Sequence, residues 1–115
     1  NFKKRNFTIR NLANNSARFS FDELCGSETS AEDYLHLIKY VNMIFLENVP
    51  DFSDSNSNQQ ERFINLIDVL YDNQINLTMS SERKVDDLNS AHYLKDRFIR
   101  TKSRLSEMKS KNYRN

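Results

Sequence analysis

The sequence predicts an α/β domain: a small parallel βαβαβ sheet with an N-terminal β-hairpin and a C-terminal helix. Three observations carry this reading. Short segments alternating apolar and polar residues at a period of two are interspersed with longer ones repeating apolar residues every three or four positions. The two kinds follow one another as strand, helix, strand, helix, strand, an order that implies parallel pairing with right-handed crossovers. A single Gly and a single Pro among 115 residues leave too few tight turns for an all-β fold.

The elements follow in chain order. Phe7-Thr8-Ile9-Arg10 and Arg18-Phe19-Ser20-Phe21 alternate as half-buried strands do, and the polar stretch Asn11–Ser16 between them suits a hairpin loop. Two short strands are not stable alone, so this hairpin needs the rest of the domain. Ser30 followed by Ala31-Glu32-Asp33 reads as a helix start, with Ser as N-cap and acids in the first turn. Tyr34, Leu35, Leu37, Ile38 and Val41 continue that helix to about Asn42. Met43-Ile44-Phe45-Leu46 is a continuous apolar run, the pattern of a parallel strand buried on both faces. Pro50 closes the next connection, and residues 51–58 form a polar loop ending in a helix cap near Ser55 or Ser57.

Phe63, Ile64, Leu66, Ile67, Leu70 and Tyr71 form one broad apolar stripe of a second helix. Ile75, Leu77 and Met79 alternate with polar residues as a third core strand. The polar stretch 81–91 is either a loop or a short helical turn around Val85 and Leu88. From Tyr93 onward, Leu94, Phe98, Thr101, Leu105 and Met108 recur at helical spacing. On that wheel Arg97, Arg100 and Arg104 fall roughly a quarter-turn from the apolar seam. They emerge at the edge of the packed surface, able to pair with acids or to reach an anionic ligand.

At 13.7 kDa the chain is sized for one domain, residues 1–115, with a single core. Apolar residues make up 37% and charged ones 29%, and no apolar run approaches the ~20 residues of a spanning helix. Collagen, disulfide-scaffold and membrane-spanning classes are thereby excluded. The lone Cys25 has no internal disulfide partner and points to a reducing compartment. The first residue is Asn and no targeting segment follows it, so the expectation is a piece of a longer polypeptide.

Net charge is +1, but the charges are segregated. Residues 1–18 carry a net +5, residues 19–82 a net −10 and residues 83–115 a net +6. Two basic ends around an acidic middle imply that the ends fold back in ion pairs or meet a phosphate-bearing partner. Nucleic acid is the weaker partner class, because no aromatic platforms interleave the basic residues.

The residues of chemistry are sparse. His36, His92 and Cys25 have no metal-ligand spacing, so no metal site is expected. Cys25 reads as a small buried thiol, His36 as a helix-surface residue, and the pairs Asp22-Glu23 and Glu32-Asp33 as helix starts. Ile44-Phe45-Leu46-Glu47 has the outline of a Mg²⁺-binding strand, but no glycine-rich phosphate loop accompanies it. No catalytic residue is expected within this chain. Composition and spacing stop at a mixed α/β domain without revealing its function.

Several segments do resemble a known family. They are Phe19-Ser20-Phe21-Asp22-Glu23-Leu24-Cys25-Gly26, Asp33-Tyr34-Leu35 and Ile44-Phe45-Leu46-Glu47-Asn48-Val49-Pro50. They continue with the stretch from Arg62-Phe63-Ile64 through Leu66-Ile67-Asp68 to Leu70-Tyr71-Asp72, and end with Arg100-Thr101-Lys102-Ser103-Arg104-Leu105-Ser106-Glu107-Met108. In this order, over about residues 5–113, they resemble the C-terminal part of the ZapE/Afg-one-like family of AAA+ ATPases, a bacterial cell-division factor and its mitochondrial relatives. The chain departs from the family pattern at Glu82-Arg83-Lys84, where a more apolar stretch is expected, and is shortened between Leu88 and Phe98.

The resemblance implies the C-terminal segment of a longer ATPase: a hairpin over 1–22, a βαβ-type core over 23–80, a loop over 81–91 and a basic helix over 92–113. ATP and Mg²⁺ would be held only by an N-terminal core that this chain lacks. The implied activity is ATP-driven remodelling of a division or quality-control protein partner, in the bacterial cytoplasm or at the matrix face of the mitochondrial inner membrane. AAA+ proteins commonly place an arginine of a C-terminal helical element near the nucleotide phosphates, where a fixed guanidinium stabilises developing charge. By that logic Arg104 and then Arg100 are the nucleotide-sensing candidates, and Arg62 is an intersubunit or structural one. The alternative is a non-enzymatic protein-interaction module, the relic of a split gene.

Overall fold

The computed structural model describes residues 10–13 and 15–110, with side chains described from 15 to 108. Its elements are β1 (Arg10–Ala13), β2 (Ser16–Ser20), α1 (Phe21–Cys25), α2 (Ala31–Leu37), β3 (Met43–Val49), α3 (Ser57–Asp72), β4 (Asn76–Ser81) and α4 (Lys95–Ser110). Short 3₁₀ turns at Asp54–Asn56, Val85–Asp87 and His92–Leu94 join them. The sheet order is β1-β2-β3-β4, with β2, β3 and β4 parallel and β1 antiparallel to β2. The α/β class with a parallel sheet and a C-terminal helix is thus what the chain adopts.

Of the expected hairpin, the strand Phe7–Arg10 lies outside the described residues except for Arg10. The expected loop Asn11–Ser16 is corrected: residues 10–13 are β1, and the chain turns at Asn15, which takes a left-handed φ of 63°, a conformation Asn tolerates well. The second strand, expected over 18–21, runs from Ser16 to Ser20. It stops there because Ser20 and Glu23 form a reciprocal capping box. Ser20 Oγ accepts from the Glu23 N–H at 3.1 Å, and the Glu23 carboxylate accepts from the Ser20 N–H at 2.8 Å. Phe21 therefore opens a helix and does not end a strand, and Asp22 and Glu23 stand in its first turn, the helix start that the acid pair predicts.

The Ser30–Asp33 box starts α2 as the sequence predicts. The helix ends at Leu37, five residues short of the expected Asn42. Its last turn tightens through Lys39 N–H to His36 O and Tyr40 N–H to Leu37 O. Asn42 is then drawn between two strand starts, donating to Asn15 O at 2.7 Å and accepting from Asn76 N–H at 2.9 Å.

β3 is buried on one face only, a correction to the two-sided burial its apolar run suggests. Ile44, Leu46 and Val49 are buried, whereas Met43, Phe45 and Glu47 are half-buried. In register, Ile44 lies between Ala17 and Leu77, and Leu46 between Phe19 and Met79. These two rows face one apolar core shared with α1, α2, α3 and α4. Asn48, at φ 64°, sits in the irregularity that shifts the β3–β4 register before Val49.

The cap before α3 is also corrected. Ser53, not Ser55 or Ser57, accepts the capping hydrogen bond, from the Ser55 N–H at 3.2 Å. Its 3₁₀ turn leads into α3, whose own N-cap Asn56 makes no side-chain cap. Beyond the strand ends, Phe21, Phe52, Phe63 and Phe98 stack ring against ring, with centroids 5.5–6.5 Å apart. Each comes from a different segment, so this cluster ties α1, the β3–α3 loop, α3 and α4 together. Among the described residues no helix is long and apolar enough to cross a membrane.

Candidate functional site

The polar residues of the two longest shared motifs meet where α4 crosses α3. Asp68 and Tyr71 are three residues apart on α3, and Arg104 and Glu107 three apart on α4, so each pair shares a helix face. Arg104 Nη1 donates to Asp68 Oδ1 at 2.5 Å, and its guanidinium lies 4.9 Å from the centre of the Tyr71 ring. The Tyr71 hydroxyl donates to the Glu107 carboxylate. The four side chains form a chain of contacts, Asp68 to Arg104 to Tyr71 to Glu107, across the helix pair, near the buried Leu105 and Met108.

With side chains a quarter to a third exposed, the Arg104–Asp68 pair contributes on the order of 1 kcal/mol, and the ring contact a similar amount. Its larger effect is orientation. Arg104 is committed to α3, with one side against a carboxylate and one against an aromatic face. The basic terminus thus folds back on the acidic middle at this seam. A second such contact joins Arg18 to Glu47 at 2.5 Å, with the Arg18 guanidinium 5.1 Å from the Phe45 ring. Glu47, the strand-end acid, therefore faces a cation.

Arg100 stands apart. It is exposed on α4, one turn before Arg104, and lies in neither salt bridge among the described residues. Of the same motif, Thr101 is buried and donates to Arg97 O at 3.2 Å, and Leu105 and Met108 join the core. Arg62 points elsewhere: its Nη1 donates to Cys25 O at 3.1 Å, tying the end of α1 to α3. It also lines a polar hollow of about 350 Å³ with Gly26 and the residues opening α3. The structure thus brings Arg104 to Asp68, keeps Arg62 at the far end of α3 and leaves Arg100 at the surface.

Cys25 is fully buried. Burial pushes its thiol up to about 12, against the smaller opposing effects of the Tyr34 hydroxyl at 3.7 Å and the Arg62 charge. A thiol so protonated is no nucleophile at neutral pH. Burial likewise raises the Tyr34 phenol, whose hydroxyl lies 2.7 Å from Leu24 O. Among the described residues no three His, Cys, Asp or Glu side chains gather as a metal would need.

The sequence reading missed a second polar assembly, which fixes the linker between β4 and α4. Gln60, fully buried on α3, donates through Nε2 to Ser90 Oγ and accepts through Oε1 from the Ala91 N–H, both at 2.8 Å. Asp51 accepts from the backbone and side-chain N–H groups of Asn89 at 2.7 Å, and Asp54 from the His92 N–H at 2.7 Å. Partial burial pushes the Asp51 carboxyl up. The Asn89 and Phe52 hydrogen bonds and the Arg83 charge outweigh it and hold the group below the usual aspartate value. One signal could have found Gln60: it falls three and four residues before Phe63 and Ile64, on the buried stripe of α3.

Comparison with known proteins places this geometry in context. The family described as AFG1-like ATPase matches residues 1–115. The chain is 31% identical over 102 residues to the cell division protein ZapE of Escherichia coli, covering 89% of this chain and 27% of that protein. It is 34% identical over 84 residues to an uncharacterized protein of Schizosaccharomyces pombe, covering 73% and 18%. It is 31% identical over 88 residues to lactation elevated protein 1 homolog B of Danio rerio, covering 76% and 18%. The chain therefore spans between 18% and 27% of the length of these curated relatives. No solved structure matches it significantly.

Proposed function

The chain belongs to the AFG1-like ATPase family, and on that premise we propose that it is the C-terminal part of an ATPase that uses hydrolysis to remodel protein partners. The observation that carries this reading is the α3–α4 seam, where Asp68 and Tyr71 of one shared motif engage Arg104 and Glu107 of the other. The name of the Escherichia coli relative speaks of cell division, which supports a division-associated partner and a cytoplasmic site of action.

The residues of this chain do not fit a nucleotide triphosphate by themselves. Its one glycine, Gly26, cannot form the backbone cradle that phosphates require, and Glu47 is occupied by Arg18. ATP and Mg²⁺ are therefore assigned to a core outside these 115 residues. Within them, Arg104 positions α4 on α3, while Arg100, exposed and in neither salt bridge among the described residues, is the candidate to reach a phosphate held by that core.

The test uses a longer polypeptide that carries this chain behind a phosphate-binding loop. Arg100→Ala lowers its ATP turnover about tenfold or more at an unchanged melting temperature. Arg104→Ala lowers turnover and melting temperature together. ATP hydrolysis by the 115-residue chain alone, or full turnover in Arg100→Ala, overturns the assignment.

A further inference from the structure

A hollow of about 380 Å³ opens between the linker and the side of α4 that faces away from Arg100. Leu88 and Phe98 form its floor, Ile99 its wall, and Lys95 and Lys102 flank it. We propose that this hollow binds an acidic amphipathic helix of a partner protein, seating one apolar side chain against Ile99 with a carboxylate facing each lysine. The proposal concerns peptide recognition and stands apart from the ATPase assignment.

Charge and spacing argue for that occupant. Lys95, Ile99 and Lys102 fall at i, i+4 and i+7, so they share one face of α4. The two lysines are separated along the axis by about 10 Å. A partner helix with carboxylates seven residues apart and an apolar residue midway repeats that spacing, the helix-in-groove mode of recognition.

Ile99 is 67% exposed, a large apolar side chain standing between two cations. Among the described residues no acidic side chain lines the hollow. Lys102 is held in place by carbonyls, not carboxylates: its Nζ donates to Leu88 O at 2.9 Å and Asp86 O at 3.1 Å, and lies 5.7 Å from the centre of the Phe98 ring. Its charge stays available while its side chain is already ordered, so little entropy is lost when a carboxylate arrives. Asp86 and Glu107 line the adjoining hollow across Ile99 and Lys102, and they steer partner carboxylates toward the lysine side.

The experiment titrates a fluorescein-labelled synthetic helical peptide, two glutamates seven residues apart with a leucine midway, with the 115-residue chain. Fluorescence anisotropy gives the affinity. Lys95→Glu and Ile99→Ser each weaken binding about tenfold or more, as does replacing the peptide's leucine by alanine, a change that leaves the protein untouched. Arg100→Glu, on the other side of α4, leaves the affinity unchanged. Absence of binding, equal affinity of the leucine and alanine peptides, or an equal loss in Arg100→Glu overturns the proposal. So does tighter, Lys95-dependent binding of a random-sequence DNA duplex.

Discussion

Gln60 and Phe63 lie three residues apart on α3, and both are fully buried, yet they hold different regions by different forces. Phe63 meets Phe21, Phe52 and Phe98 and belongs to the apolar core that joins sheet and helices. Gln60 fastens the linker to α3 through directed hydrogen bonds to Ser90 and Ala91, helped by Asp51, Asp54 and Lys102. Apolar contact is roughly proportional to area and indifferent to pH. The polar attachment depends on each partner being present and correctly charged. The core therefore answers to packing and the linker to chemistry.

The largest expected effect comes from the core. Phe63→Ala lowers the unfolding free energy by about 3–5 kcal/mol, and denaturant titrations show that loss alike at neutral and mildly acidic pH. Gln60→Ala costs less, about 1–3 kcal/mol, because it strands the Ala91 N–H and takes one donor from the Ser90 hydroxyl, which still donates to Ala91 O. Its signature is local. Hydrogen exchange accelerates at residues 89–92 more than in β3, whereas Phe63→Ala accelerates exchange throughout. A uniform increase in Gln60→Ala would erase the distinction between the two regions.

What could be read from the sequence follows the same division. The β2 row shows as alternation, with buried Phe19 between half-buried Arg18 and Ser20, because burial on one face is written in neighbouring residues. The stripe from Phe63 to Leu70 shows as a helical period for the same reason. α1 is five residues long, too short for a period, and only the acid pair Asp22-Glu23 and the Ser20-to-Glu23 spacing mark it. The one-sided burial of β3 escaped because Met43 and Phe45 are as apolar as Ile44 and Leu46. Arg104 was singled out, but its partner was not: Asp68 lies 36 residues away, and only the crossing of α3 and α4 brings them together. Asp51 and Asn89 are 38 apart and met by the same kind of accident of topology.

A smaller effect separates the two arginines of α4. Arg104→Ala loses the Asp68 contact and the Tyr71 stacking, about 1–2 kcal/mol together. Arg100→Ala stays within about 0.5 kcal/mol, as exposed substitutions do. Thermal melts of the two variants side by side measure the difference. Equal losses would mean that Arg104 is no more engaged with the fold than its exposed neighbour.

The smallest effect tests the linker by proton alone. The folded Asp51 carboxyl titrates below its ordinary value of 3.8, so its hydrogen bonds add stability at every pH above that value. The contribution is lost as pH falls through the depressed folded value, where protonation removes the acceptor from Asn89. Exposure to solvent keeps it at or below about 1 kcal/mol. The Asn89 amide and side-chain NMR signals follow the change directly, moving together in the acid limb while signals from Ile44 and Leu46 stay put. In Asp51→Asn that acid step disappears, and Asn89 shows the released position at neutral pH. If Asn89 instead moved in concert with the core strands, the linker and the sheet would unfold as one unit, and directed polar attachment would not be what distinguishes them.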